Sequence, residues 1–180
     1  MKSAELVISF IVLLSGVAPS QERATPHEQL SFEIGHGRST VKHPVPLSDA
    51  DLAEIRKVQS NQPLFQPPFP LKSSEIPVPT REGLEVGAVH LNGPEERDLV
   101  VIGSGRRYVT EKLAPFWVIR EIPTGPKVVL AEWTHKLEVQ PTKHRGMADL
   151  LTYRDTGMGG SVTAFEFNGF KYAQMIEVIN

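Results

Sequence analysis

The six histidines, His27, His36, His43, His90, His135 and His144, are the side chains best suited to metal binding or proton transfer. None forms an H-x-H or H-E-x-x-H spacing, the patterns that set two ligands on one face of a strand or helix. The chain has no cysteine, which removes thiolate ligands, thiol nucleophiles and disulfides. Ser39 and Ser104 stand in glycine-flanked loops, but no G-x-S-x-G elbow surrounds either and no base is signalled beside them. Gly103-Ser104-Gly105-Arg106-Arg107 could cradle an anion through amides and guanidinium groups, and a plain loop between strands accounts for it equally. Glu132, Glu138, Asp155 and Glu166 lie on or beside strand-like segments without the pairing that a two-carboxylate glycosidase requires. These residues define no catalytic set and call for no cofactor.

The elements that must position such residues are mostly strands. Residues 84–103 (LEVGAVHLNGPEERDLVVIG) read as two strands joined by a polar, acidic turn. Leu84, Val86, Ala88 and His90 alternate, whereas Leu99, Val100, Val101 and Ile102 form a continuous apolar run closed by glycine. Strand-like segments follow at 116–121, 127–133, 137–139, 148–153, 161–167 and 170–179, the one at 137–139 being short. Asn168-Gly169 is the strongest hairpin signal and predicts a type I′ turn with positive φ at both residues. Sequential strands with short turns predict an antiparallel meander. Trp117, Trp133, Phe165, Phe167 and Tyr172 are its large anchors, and any aromatic left exposed on a sheet face would mark a contact surface.

Upstream, the chain reads as delivery and attachment. Residues 1–20 have the form of a signal peptide: Lys2, an apolar stretch at 6–14 too short to span a bilayer, and Ala18 and Ser20 before a cleavage point at Gln21. Residues 21–46 are predicted to be a flexible arm in which Leu30, Phe32 and Ile34 alternate and supply at most one edge strand. Residues 47–61 predict a helix, with Ser48 as N-cap, Asp51 three positions on, Leu47 and Leu52 as a staple, and Leu52, Ile55 and Val58 as its apolar stripe. Residues 62–80 hold Pro63, Pro67, Pro68, Pro70, Pro77 and Pro79, which favour an extended strap with Phe65, Phe69 and Leu71 tucked against the domain. The β domain occupies 81–180. Its formal charge contribution is modest: the whole chain carries −2 with Lys and Arg scattered, which argues against nucleic acid as a partner. After leader cleavage no segment is apolar enough to span a membrane.

Two parts of the β domain share an order of events. Asn92-Gly93, Asp98-Leu99 with its apolar strand, a glycine-rich loop, an aromatic strand and a Gly125 turn are echoed by Arg145-Gly146, Asp149-Leu150, a second glycine-rich loop, Phe165 to Phe167 and Asn168-Gly169. The separation of the two Asp-Leu steps suits blade-like repeats. Leu91-Asn92-Gly93 followed by Asp98-Leu99-Val100-Val101 resembles the degenerate turn of FG-GAP and VCBS-type β repeats. The end of the chain, from Arg145 through Phe165 to Tyr172, is similar to the tail of small exported bacterial proteins. In intact repeats of that type the turn binds calcium. That resemblance makes Asn92, Glu95 and Asp98 the calcium candidates, with His90 and Pro94 standing where oxygen ligands would be needed and supplying none. A structural turn is then the main expectation, with Asp98 accepting backbone amides as Asx residues do and Asp149 repeating that role.

The sequence thus predicts a mainly β fold: an antiparallel meander of two blade-like repeats with one N-terminal helix and a proline-rich strap. The expected function is that of an exported, non-enzymatic binding module, periplasmic or secreted, whose partner is another protein or a cell-envelope component. Two alternatives stand beside it. One is an inhibitor of a cell-wall or proteolytic hydrolase that presents a loop at 103–112 or 154–160, with Arg106, Arg107, Arg154 and Asp155 as contact residues. The other is a hydrolase whose site assembles only in the fold. Two short repeats also leave sheet edges that the strap or a homodimer would cover.

Overall fold

Runs of β-branched and aromatic residues punctuated by glycine and proline become strands here, and one capped segment becomes a helix. A computed structural model of the chain describes residues 28–35, 38–61, 78–104, 113–155 and 159–179. The expected leader at 1–20, the arm up to His27, residues 62–77 of the expected strap, and Arg106 and Arg107 lie outside the described residues. The elements are β1 (Ser31–Gly35), β2 (Arg38–Ser39), α1 (Asp49–Asn61), a 3-10 turn at Arg81–Gly83, β3 (Leu84–Val89), β4 (Asp98–Gly103), β5 (Ala114–Ile122), β6 (Gly125–Thr134), β7 (Lys136–His144), β8 (Met147–Asp155), β9 (Gly160–Phe167) and β10 (Tyr172–Ile179). They form two antiparallel sheets, ordered β3-β4-β5-β6 and β10-β9-β8-β7-β1-β2. Two consecutive four-stranded meanders therefore make up the β domain, and β1 and β2 extend the second.

The two sheets stack face to face. Val100, Ile102, Phe116 and Val118 from the first join Leu137, Leu150, Phe165 and Phe167 from the second in one core. The opposite face of the first sheet carries Leu99, Val101, Trp117 and Ile119, which pack with Ile55 of α1. The first sheet is thus the middle layer, which is why Leu99 to Ile102 is a continuous apolar run: alternate side chains go to different cores. On β6 the pairing steps from Val118↔Leu130 to Ile119↔Val128. Val129 is the extra residue, and it reverses the phase so that Val128 faces the helix and Leu130 the other sheet.

Helix α1 starts as its sequence requires. Ser48 Oγ accepts from the Asp51 amide at 3.1 Å, and Asp51 Oδ2 accepts from the Ser48 amide at 2.8 Å, a reciprocal capping box. Leu52 and Ile55 are buried against the sheet.

Three local expectations are corrected. The arm is built into the fold from Ser31 onward: β1 pairs with β7, Phe32 opposite Leu137, and β2 rather than β1 is the outermost strand. Phe32 is fully buried, and a Cβ placed on Gly87 would lie 2.5 Å from its ring, so the glycine inside β3 makes room for the arm. Strand β7 is long, because the irregularity between Val139 and Lys143 absorbs Pro141 without ending the pairing. The type I′ geometry sits at Arg145-Gly146 (φ +51° and +84°), inside a hairpin closed by His144↔Met147. At Asn168-Gly169 only the glycine has positive φ (+105°), and Asn168 Oδ1 instead accepts from the amides of Phe170 and Lys171. A four-residue Asx-closed loop thus replaces the two-residue turn.

Candidate functional site

The turns singled out by the sequence converge at one end of the sandwich. Asp98 opens β4 fully buried, and its Oδ2 accepts the Leu91 amide at 3.2 Å. Leu91 O in turn accepts the Ala148 amide at 2.8 Å, so the β3–β4 turn is tied to β8 of the other sheet. Lys143 Nζ donates to Asn92 O at 3.0 Å, and a Cβ on Gly146 would stand 3.2 Å from Asn92 Oδ1. The Arg145 side chain lies beside Gly169. Tyr172 Oη donates to Ala148 O at 2.6 Å. Three turns and the first residue of β10 are therefore interlocked.

The charges of this end follow from that packing. Burial raises the Asp98 carboxyl above its ordinary range, and the Leu91 amide and then Arg120 offset only part of the effect. Glu96 is held low by hydrogen bonds from Asn92 and from Arg120, whose Nη2 is 3.2 Å away. Burial lifts the Tyr172 phenol far above its usual value. Glu95 is exposed, whereas Asp98 is fully buried and its Oδ2 accepts the Leu91 amide. Asn92, Glu95 and Asp98 are thus not gathered into a ligand shell. Among the described residues no group of three or more His, Asp and Glu is arranged to hold a metal ion.

Asp149 does not repeat the role of Asp98. It is the third residue of β8, and its Oδ1 meets His144 Nδ1 at 2.7 Å, while His144 Nε2 lies 3.5 Å from Glu166 Oε1. The imidazole sits between two carboxylates, and the hydrogen bond to Asp149 raises its pKa. Arg154 is a strand residue whose guanidinium turns inward to Glu132 and to Trp133 O. It is not a contact-loop residue, and burial raises the Glu132 carboxyl beside it. Asp155 ends β8 exposed.

Two surfaces had no local signal. A groove of about 980 Å³ runs along β3, lined among others by Glu28, His43, Ala88, His90, Pro94 and Lys143. Its polar groups are largely engaged in attaching the chain preceding β1. Glu28 Oε1 accepts the His90 amide at 2.5 Å and stands 3.1 Å from His90 Nδ1. Residues so far apart in sequence give no motif to read.

The other surface is the outer face of β8, β9 and β10. Register sets Leu151 beside Ala164 and Ala164 beside Ile176; the next row is Tyr153, Val162 and Val178. Ile176 and Val178 are 64% and 53% exposed. A polar rim borders the rows: Tyr153 Oη donates to Glu138 at 2.6 Å, and Lys136 Nζ lies 2.5 Å from the same carboxylate and 4.9 Å above the Tyr153 ring. The hydrogen bond to Glu138 pushes the Tyr153 phenol up to about 12. Apolar rows with a polar border are the make-up of a contact surface. Residues 161–167 read as a strand, but which of its faces would remain uncovered depends on the stacking of the sheets. Comparisons with family models, curated proteins and solved structures gave no match to the chain.

Proposed function

We propose that this chain is an exported, non-enzymatic protein-binding module that uses the outer face of β8–β10. The observation that carries the reading is the pair of cross-strand apolar rows, Leu151-Ala164-Ile176 and Tyr153-Val162-Val178, beside a charged rim. Aligned apolar side chains of this kind gain most from burial in a partner. The leader-like residues 1–20 support export, and the two consecutive four-stranded meanders support the relation to FG-GAP and VCBS-type repeats. The interlocked turns around Asp98 act in this reading as the staple between the sheets.

The test is capture from a cell-envelope extract on the immobilised chain. The wild type retains a stoichiometric protein, Ile176→Asp/Val178→Asp loses it, and Glu33→Lys on the exposed side of β1 keeps it. Equal retention by all three chains, or turnover of a substrate by the purified protein, would sink the reading.

A further inference from the structure

We propose that the partner adds an extended strand to the free edge of β10, and that this strand bears apolar side chains on one face and lysine or arginine on the other. This rests on the binding-module reading and names how the surface is used. Among the described residues the two sheets have four edges, treated differently. β2 is two residues long. β3 is strapped by the Pro44↔Gly87 bridge, by the Val45 amide donating to Val86 O at 2.9 Å, and by Glu28 at the His90 amide. β6 carries Pro126 and Lys127 directly after its first residue, Gly125, and both discourage pairing. β10 runs for eight residues without proline or lysine and, among the described residues, pairs only with β9. Its one irregularity lies between Gln174 and Ile176, leaving Ile176 to Ile179 in regular register.

The two faces of that edge specify the incoming strand. Ile176 and Val178 lie on the outer face opposite Ala164 and Val162, so an added strand would continue both apolar rows. Glu177 lies opposite Thr163 on the inner side. It raises the pKa of Glu132 by its charge, and the nearby cation, Arg154, is already committed to Glu132 and Trp133 O. Among the described residues no basic side chain is bridged to Glu177; its carboxylate meets Gln174 Nε2 at 3.5 Å. This side of the edge therefore has two carboxylates for one cation, and a basic residue on the added strand completes it. A second copy of β10 does not, because its only charged residue is another Glu177. Strand addition supplies affinity through main-chain hydrogen bonds and selectivity through alternate side chains.

The test titrates the isotope-labelled full chain with short peptides of alternating valine and lysine, of alternating valine and glutamate, and with valine–lysine peptides N-methylated at alternate amides in each phase. The valine–lysine peptide is expected to bind at least about tenfold more tightly than the glutamate one. Its amide shifts should centre on Ile176–Ile179, N-methylation in one phase should abolish binding, and Glu177→Lys should reverse the charge preference. Equal binding of both charges, indifference to N-methylation in both phases, or shifts centred on β3 overturns the proposal. So does a dimer in sedimentation that Ile176→Asp/Val178→Asp dissolves, since the edge would then belong to a second copy. If the peptides fail while that double variant still loses the captured partner, strand addition falls and the outer-face reading stands; if the variant retains the partner, both fall.

Discussion

The two meanders, β3–β6 and β7–β10, have the same strand count and the same up-and-down order but opposite relations to solvent. In the first, Leu99, Val101 and Trp117 face α1 while Val100, Ile102 and Phe116 face the second sheet, so β4 is buried from end to end. In the second, Leu150, Phe165 and Phe167 are buried while Leu151, Val162 and Ala164 on alternate positions are only half-covered. The first also has its β3 edge strapped, and the second has β10 open. In the proposed reading this repeated architecture is divided into a scaffold and a display surface, and the division is made by what packs on each outer face.

The largest expected effect separates the two halves by stability. Trp117→Ala removes a fully buried side chain and should cost about 3–5 kcal/mol, whereas Val178→Ala on the exposed outer face should change stability by less than about 0.5 kcal/mol. Urea denaturation of the two variants checks this; comparable losses would erase the contrast.

Next in size is the staple that joins the halves. Asp98→Ala orphans the buried Leu91 amide and should cost about 1–3 kcal/mol. Asp98→Asn keeps an acceptor and removes the buried charge. Because folding raises this carboxyl's pKa, its contribution is fully present below the unfolded value of about 3.9 and is lost as pH rises through the folded one. Asp98→Asn should therefore be at least as stable as the wild type at neutral pH, with any advantage shrinking in acid. Melting temperatures across that range decide it, and an advantage growing toward acid would contradict the assignment.

The smallest effect concerns the display half alone. His144 bridges Asp149 and Glu166, which lie close on the outer face. Its raised pKa means the stabilisation is full below about 6.5, the unfolded value, and is lost as pH rises through the higher folded value. His144→Gln should flatten the decline of the melting temperature just above that pH. An unchanged slope would show that the bridge contributes nothing.

Much of this architecture was legible because its signals are local. The capping box at Ser48 and Asp51, the β3–β4 hairpin and the β-branched run at Leu99–Ile102 each announce their own conformation. The misjudged elements depend on distant partners. Residues 31–35 read as at most an edge strand of an otherwise loose arm, because the demand for a buried Phe32 is set by Gly87, far along the chain. Pro141 made β7 look short, whereas the irregular pairing with β8 absorbs it. Arg145-Gly146 lacks the Asn-Gly signature but takes the I′ geometry because the flanking register leaves two residues for the turn. Asp149 shares the Asp-Leu pattern of Asp98, but it lies inside its strand, where an imidazole and not a turn amide is within reach. The proposed contact face could not be read at all, since the phase of β10 depends on the irregularity around Met175.

The most direct test of the division into scaffold and display surface is amide hydrogen exchange on the full chain, measured free and with its captured partner bound. The account predicts added protection at Ile176–Ile179 of β10, with β3 and the groove beside Glu28 and His90 unchanged. Protection that instead appears along β3 and leaves β10 exchanging at its free rate would contradict it.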